Sequence, residues 1–137
     1  MGVTADRRWT RVARSMALGA VYDAVFAAAI LLFTRPAAGL LGLEVPSDPV
    51  YLRLDGVFLL LLAGLYLLPA VDPVRYRGVV AIAAGGRLLG FLFLTHAWLE
   101  GRPPAFLGLA LADLAFAAAH ALLLLQAGAT ALTEPSR

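Results

Sequence analysis

Between Arg14 and Arg35 the chain runs for twenty residues with one formal charge, Asp23, and about twenty apolar residues carry a helix across the hydrocarbon core of a bilayer. Three more runs of this kind follow, so that spans are expected at about 15–34, 53–71, 74–99 and 104–127, with Asp55, Arg87 and Asp113 inside the later three. The runs are apolar all round rather than alternating, which disfavours the strands of a spanning barrel. Four spans take up roughly 80 residues and leave only short loops. Composition agrees: 61 % of the 137 residues are hydrophobic and 15 % charged, against about 45–50 % and 25 % in soluble domains. The expected fold is all-α, a single integral membrane domain over 1–137 built as a four-helix bundle.

Proline sets the boundaries. Asp72-Pro73 stops the second span, because proline disfavours a helical residue before it, and Pro103-Pro104 opens the fourth, since proline suits a first helical turn. The segment from Arg35 to Pro49 holds Pro36, Pro46 and Pro49 around Ala37-Ala38-Gly39-Leu40-Leu41-Gly42-Leu43, and is expected as a loop in the membrane interface. Arg7, Arg8, Arg11 and Arg14 precede the first run as they would in a secretory signal. That run, however, exceeds the usual signal core of about 7–15 residues and contains an aspartate, so a retained anchor is expected.

The chain has no lysine, and its arginines set the orientation. With both termini in the cytoplasm, the inner side carries Arg7, Arg8, Arg11, Arg14, Arg75, Arg77 and Arg137, and the outer side Arg35, Arg53 and Arg102, seven against three. The positive-inside rule selects that topology. The basic N-terminal segment with Trp9 suits anionic headgroups, worth about 1 kcal/mol per charge. No basic stripe with interleaved aromatics points to nucleic acid. The absence of cysteine excludes disulfide exchange, iron–sulfur ligation and thiolate metal sites, and no phosphate-loop, dinucleotide, zinc-protease or hydrolase signature occurs.

Four ionisable residues fall inside the spans: Asp23, Asp55, Arg87 and Asp113. Each costs about 2.5–3.5 kcal/mol at a helix centre exposed to lipid, so they are expected to face the bundle interior. Their helical neighbours are small: Gly19, Ala20 and Ala27 around Asp23, Ala83, Ala84 and Gly90 around Arg87, and Ala110 and Ala117 around Asp113. Gly86 and Gly90 form a G-x-x-x-G that admits a neighbouring helix. Tyr51 and Tyr66, four residues before and eleven after Asp55, share its face, and His120 shares that of Asp113. One polar pocket open to the outside is expected, lined by Asp23, Asp55, Arg87, Asp113, Tyr51, Tyr66 and His120. Three carboxylates and one guanidinium carry a formal −2, eased if Arg53 folds back toward Asp55. One aspartate is then expected to be protonated, Asp113 first among them, or paired with a bound cation. His96, beside Trp98, reads as an interface anchor, and its separation from His120 on an antiparallel span argues against haem. No metal or cofactor is expected. An Asp-x-x-Phe pattern recurs at Asp23, Asp55 and Asp113, which chance can produce in so Ala- and Leu-rich a chain.

The stretch from Tyr66-Leu-Leu-Pro-Ala-Val-Asp72-Pro73-Val-Arg75-Tyr-Arg77 to Gly85-Gly86-Arg87-Leu-Leu-Gly90 resembles the small bacterial four-helix membrane proteins grouped around the DoxX-like families. The likeness lies in the span pattern from about residue 20 to 125 and implies a bacterial cytoplasmic membrane; it brings no catalytic residue. Three readings of the charged pocket stay open. Arg87 can fix helix register structurally. The pocket can hold a small lipophilic or cationic molecule, the leading functional expectation. It can also serve chemistry or transport: a membrane enzyme using acid/base catalysis on a lipid or isoprenoid, or a proton-coupled exporter that needs a homodimer to enclose its pathway.

Overall fold

The computed structural model describes the backbone of residues 3–129 and side chains from Arg7 onward. Among the described residues it has five helices: α1 (Val3–Leu32), α2 (Thr34–Leu40), α3 (Val50–Val71), α4 (Arg77–Leu99) and α5 (Ala105–Ala129). Helices α1, α3, α4 and α5 are long and apolar enough to cross a membrane. They run up and down, so the start of α1, the end of α3, the start of α4 and the end of α5 lie at one end of the bundle. Arg137 of the charge count lies outside the described residues.

Alanine dominates the inside, beside a few larger groups such as Met16, Tyr66 and His120, and most large apolar side chains are outside. Ala20, Ala27, Ala63, Ala83, Ala110 and Ala117 are buried, while Leu61, Leu89, Phe93, Leu122 and Leu125 are exposed. Water would oppose that arrangement. In lipid, large apolar groups gain nothing by leaving the bilayer, and close backbone packing holds the helices together. Helix α3 packs along α1, where Gly56 gives room to Ile30 and Leu31. Helix α5 packs along α4 and also touches α1, whereas the seam between α3 and α4 is thinly packed.

The span over α3 begins at Val50, three residues before the expected 53, and three further differences from the sequence expectation have a local cause. The anchor helix begins at Val3 rather than near residue 15, because its arginines continue the helix as its first turns. The third span begins at Arg77 rather than Val74: Asp72 closes a turn, its Oδ1 accepting the Arg75 N–H at 3.1 Å and its carbonyl the Tyr76 N–H at 3.1 Å. The third difference is that the expected interface loop contains α2. Proline is a breaker in a helix interior but is accepted in a first turn, and Pro36 sits in the first turn of α2. Both α2 and α4 then end on a left-handed glycine, Gly42 (φ 68°) and Gly101 (φ 93°). After each, the next residue's N–H reaches back five residues, Leu43 to Ala38 at 2.9 Å and Arg102 to Ala97 at 3.2 Å. This cap requires positive φ, which glycine adopts without strain.

Candidate functional site

Arg87, near the middle of α4, points inward and joins three helices. Its Nη2 donates to Asp23 Oδ1 on α1 at 2.5 Å, and its Nη1 donates to Asp113 Oδ1 on α5 at 2.7 Å. Each carboxylate takes a different nitrogen, so a single guanidinium fork fixes α4 against both neighbours. Asp23 is 1 % exposed and Arg87 8 %. Aromatic rings enclose the cation: its Cζ lies 5.2 Å from the ring centre of Tyr22, 5.1 Å from Phe116 and 5.7 Å from Tyr66. Such contacts, worth about 2 kcal/mol or more when desolvated, take the place of water around the guanidinium. Two carboxylates and one guanidinium leave a formal −1, and Asp23 Oδ2 is buried without a hydrogen-bond partner among the described residues.

Behind this triad, His120 is fully buried. Its Nδ1 is hydrogen-bonded to Ser15 Oγ on α1 at 2.8 Å, its ring stands edge-on to Tyr66 at 6.2 Å, and Phe116 lies between it and the triad at 5.7 Å. Gly19 keeps the space: a Cβ there would stand 3.3 Å from Tyr66 and 3.4 Å from His120.

Two cavities meet at the triad. The first, of about 320 Å³, lies under α2; Ala37, Ala38 and Leu41 form its roof, Phe26, Ile30, Leu52 and Phe106 its walls, and Asp55 is at its edge. The second, of about 260 Å³, occupies the α3–α4 seam between Leu62 and Leu65 on one side and Ile82, Ala83 and Gly86 on the other. Asp23, Arg87 and Asp113 line both, so the ionic cluster is the partition between two apolar chambers.

The structure therefore unites Asp23, Arg87 and Asp113, with Tyr66 beside them in the second cavity and His120 behind. Asp55 lines the first cavity from an exposed position on α3. Tyr51 is 79 % exposed and lines neither chamber. Arg53 does not fold back on Asp55; its Nε donates to Thr34 Oγ1 at 3.4 Å. His96 is at the surface, 3.4 Å from Glu100 one turn on. Sequence reasoning names Tyr22 only as a hydrogen-bond partner, alternative to Tyr51 or Tyr66, for one of the aspartates, and it does not select Phe26, Phe116 or Ser15 for the site. Two of them carried a signal: Phe26 and Phe116 are the aromatic members of the Asp-x-x-Phe pattern, and each packs on Tyr22, at 4.8 and 5.2 Å between ring centres. The third, Phe58, is 53 % exposed. The paired glycines also separate in role. A Cβ at Gly86 would meet nothing within 4 Å, whereas one at Gly90 would overlap Asp113 Oδ2.

Among the described residues no group of three or more His, Cys, Asp or Glu side chains could hold a metal ion. What the site offers is a formal excess of one negative charge, a buried and unpartnered Asp23 Oδ2 in the same cluster as a buried and unpartnered Arg87 Nε among the described residues, and apolar chambers on two sides. Comparison with models of known families, with curated proteins and with solved structures finds no match.

Proposed function

We propose that this chain is an integral membrane binding protein that holds a small cationic amphiphile, its charged head against Asp23 and its apolar body in the chamber under α2. The observation that carries the reading is Asp23 Oδ2, buried and unpartnered in a cluster with a formal charge of −1. An ammonium group donating to that oxygen neutralises the cluster and satisfies the atom, and a buried charge without such compensation is costly. The first chamber, at about 320 Å³, is at the lower end of the roughly 300–1,000 Å³ of small-molecule sites. Its walls suit a hydrocarbon, and Asp55 at its edge favours an approaching cation. His120, the imidazole of the site, lines neither chamber, so the charged groups facing the chambers are the carboxylates and the guanidinium. Kinship with the DoxX-like four-helix proteins, and with it a bacterial cytoplasmic membrane, belongs to the same proposal.

The test is a melting series in a neutral maltoside detergent with dodecylamine, dodecanol or dodecanoate at equal mole fraction. Dodecylamine raises the melting temperature by several degrees, since saturation a hundredfold above Kd contributes about 2.7 kcal/mol, and the alcohol and the acid do not. Asp23→Asn keeps an acceptor for Arg87, removes the excess charge and abolishes the amine effect. Equal stabilisation by all three amphiphiles, or an amine effect undiminished in Asp23→Asn, would sink the reading.

Orientation belongs to the proposal too. Arg7, Arg8, Arg11, Arg14, Arg75 and Arg77 flank the ends that share the chain termini, and Arg35, Arg53 and Arg102 the other side. Reporter fusions at both termini are expected to read cytoplasmic, with residues 36–50 and 100–104 outside. A periplasmic reading at residue 137 would invert the orientation and place the α2 chamber on the cytoplasmic side.

A further inference from the structure

A third cavity, of about 610 Å³, opens at the end of the bundle where α4 starts and α5 finishes, with Trp9 of α1 at its flank. It shares no residue with the two chambers at the triad. Its floor is made by the absence of side chains: Gly78 and Gly128 both line it, and a Cβ on either would meet nothing within 4 Å. One turn deeper, toward the middle of the spans, Ala81, Leu124 and Leu125 continue the groove as apolar walls.

The mouth is cationic. Arg77 lines it, exposed and without a carboxylate partner among the described residues. The neighbouring Arg8 donates to the Gln126 carbonyl at 3.0 Å in the last turns of α5, which keeps a second guanidinium at this end of the helix. Trp9 is half-buried and packed on the core, a rigid indole at the level where a spanning helix meets headgroups. Among the described residues no acidic side chain lines the groove.

We propose that this groove is a binding site for one anionic phospholipid, with the phosphate held by Arg77 beside Trp9 and an acyl chain lying over Gly78 and Gly128 toward Leu124. Charge complementarity selects the occupant. A basic mouth above an apolar floor at a helix end matches a negative headgroup with its hydrocarbon attached, since basic pockets between spanning helices favour acidic lipids over zwitterionic ones. A second copy of the chain would bring another Arg77 to the same mouth. The inference is independent of the amphiphile reading, because it uses the opposite end of the bundle.

Native mass spectrometry of the full chain in maltoside, with phosphatidylglycerol and phosphatidylcholine of matched acyl chains, tests it. One phosphatidylglycerol is expected to be retained per protomer and phosphatidylcholine is not. Arg77→Gln lowers retention about fivefold, the loss of one interfacial charge. Gly128→Leu, whose Cβ meets nothing within 4 Å, fills the groove and removes the retained lipid while the fold, read by circular dichroism, is unchanged. In a Trp98→Phe background, brominated phosphatidylglycerol quenches Trp9 more than brominated phosphatidylcholine does. Equal retention of the two lipids, or wild-type retention in both variants, overturns the proposal. So does a Gly128→Leu variant that changes the oligomeric mass but keeps its lipid, which would assign the groove to a second copy.

Discussion

Arg87→Leu is expected to lower the melting temperature in detergent by about 10–15 °C, while Arg53→Leu changes it by only about 0–3 °C. Both remove one arginine, and the difference lies in what each leaves behind. At Arg53 a largely exposed guanidinium loses a long hydrogen bond to Thr34, a contact of the kind worth about 0–1 kcal/mol. At Arg87 the change strands two carboxylates, Asp23 and Asp113, with side chains 1 % and 14 % exposed, and breaking a buried pair from one side typically costs about 3–5 kcal/mol. It also leaves Tyr22, Tyr66 and Phe116 facing a void where the cation stood. The remedy follows from the same accounting. Adding Asp23→Asn and Asp113→Asn to Arg87→Leu removes the stranded charges, so the triple variant should melt above the single one, as replacing a whole buried ionic cluster is often neutral or favourable. Differential scanning fluorimetry of the four proteins decides it. Equal melting of wild type and Arg87→Leu would mean that the guanidinium is not held between the carboxylates in the membrane-solubilised protein.

The convergence of these charges was legible in the sequence for a thermodynamic reason. Lipid penalises an exposed charge so heavily that three ionisable residues near the middle of three spans had one economical place to go. Apolar length and the proline breaks placed the spans, and alanine and glycine around each charge marked the inward faces. What periodicity could not convey was how tightly the bundle closes at each depth. Asp55 and Tyr66, eleven residues apart, share one azimuth on α3, yet Tyr66 is 4 % exposed and Asp55 is exposed. At the level of Tyr66 the helices converge on His120; at the level of Asp55 they part around the chamber under α2. Tyr51, one turn further out on that side, is 79 % exposed for the same reason. Nor does sequence spacing say which nitrogen of Arg87 takes which aspartate, because that depends on side-chain rotamers and on the rotation of each helix about its own axis. The short helix α2 was hidden by its proline, whose meaning changes with its position in a turn.

Gly90→Ala is the smallest change with a large expected effect. A Cβ at Gly90 would overlap Asp113 Oδ2 and stand 3.3 Å from its Cγ, so the carboxylate that Arg87 holds from one side is backed on the other by bare backbone. The added methyl must displace either Asp113, breaking its 2.7 Å bond to Arg87, or the whole of α5. Overpacking costs about 1–3 kcal/mol, and a direct overlap that also breaks an ionic bond belongs to the upper part of that range, above the roughly 1 kcal/mol that alanine gains over glycine in a helix. Gly86→Ala, one turn earlier on the same helix, meets nothing within 4 Å, and there the propensity gain should prevail and leave stability equal or slightly higher. The decisive comparison is made in an Asp113→Ala background. With the carboxylate gone, Arg87 and Asp23 remain as a neutral pair, the space at Gly90 is free, and Gly90→Ala should become neutral or stabilising, so the two substitutions are strongly non-additive. If Gly90→Ala were equally destabilising with and without Asp113, glycine would be required there for the approach of α5 itself, and the carboxylate would not be the group it accommodates.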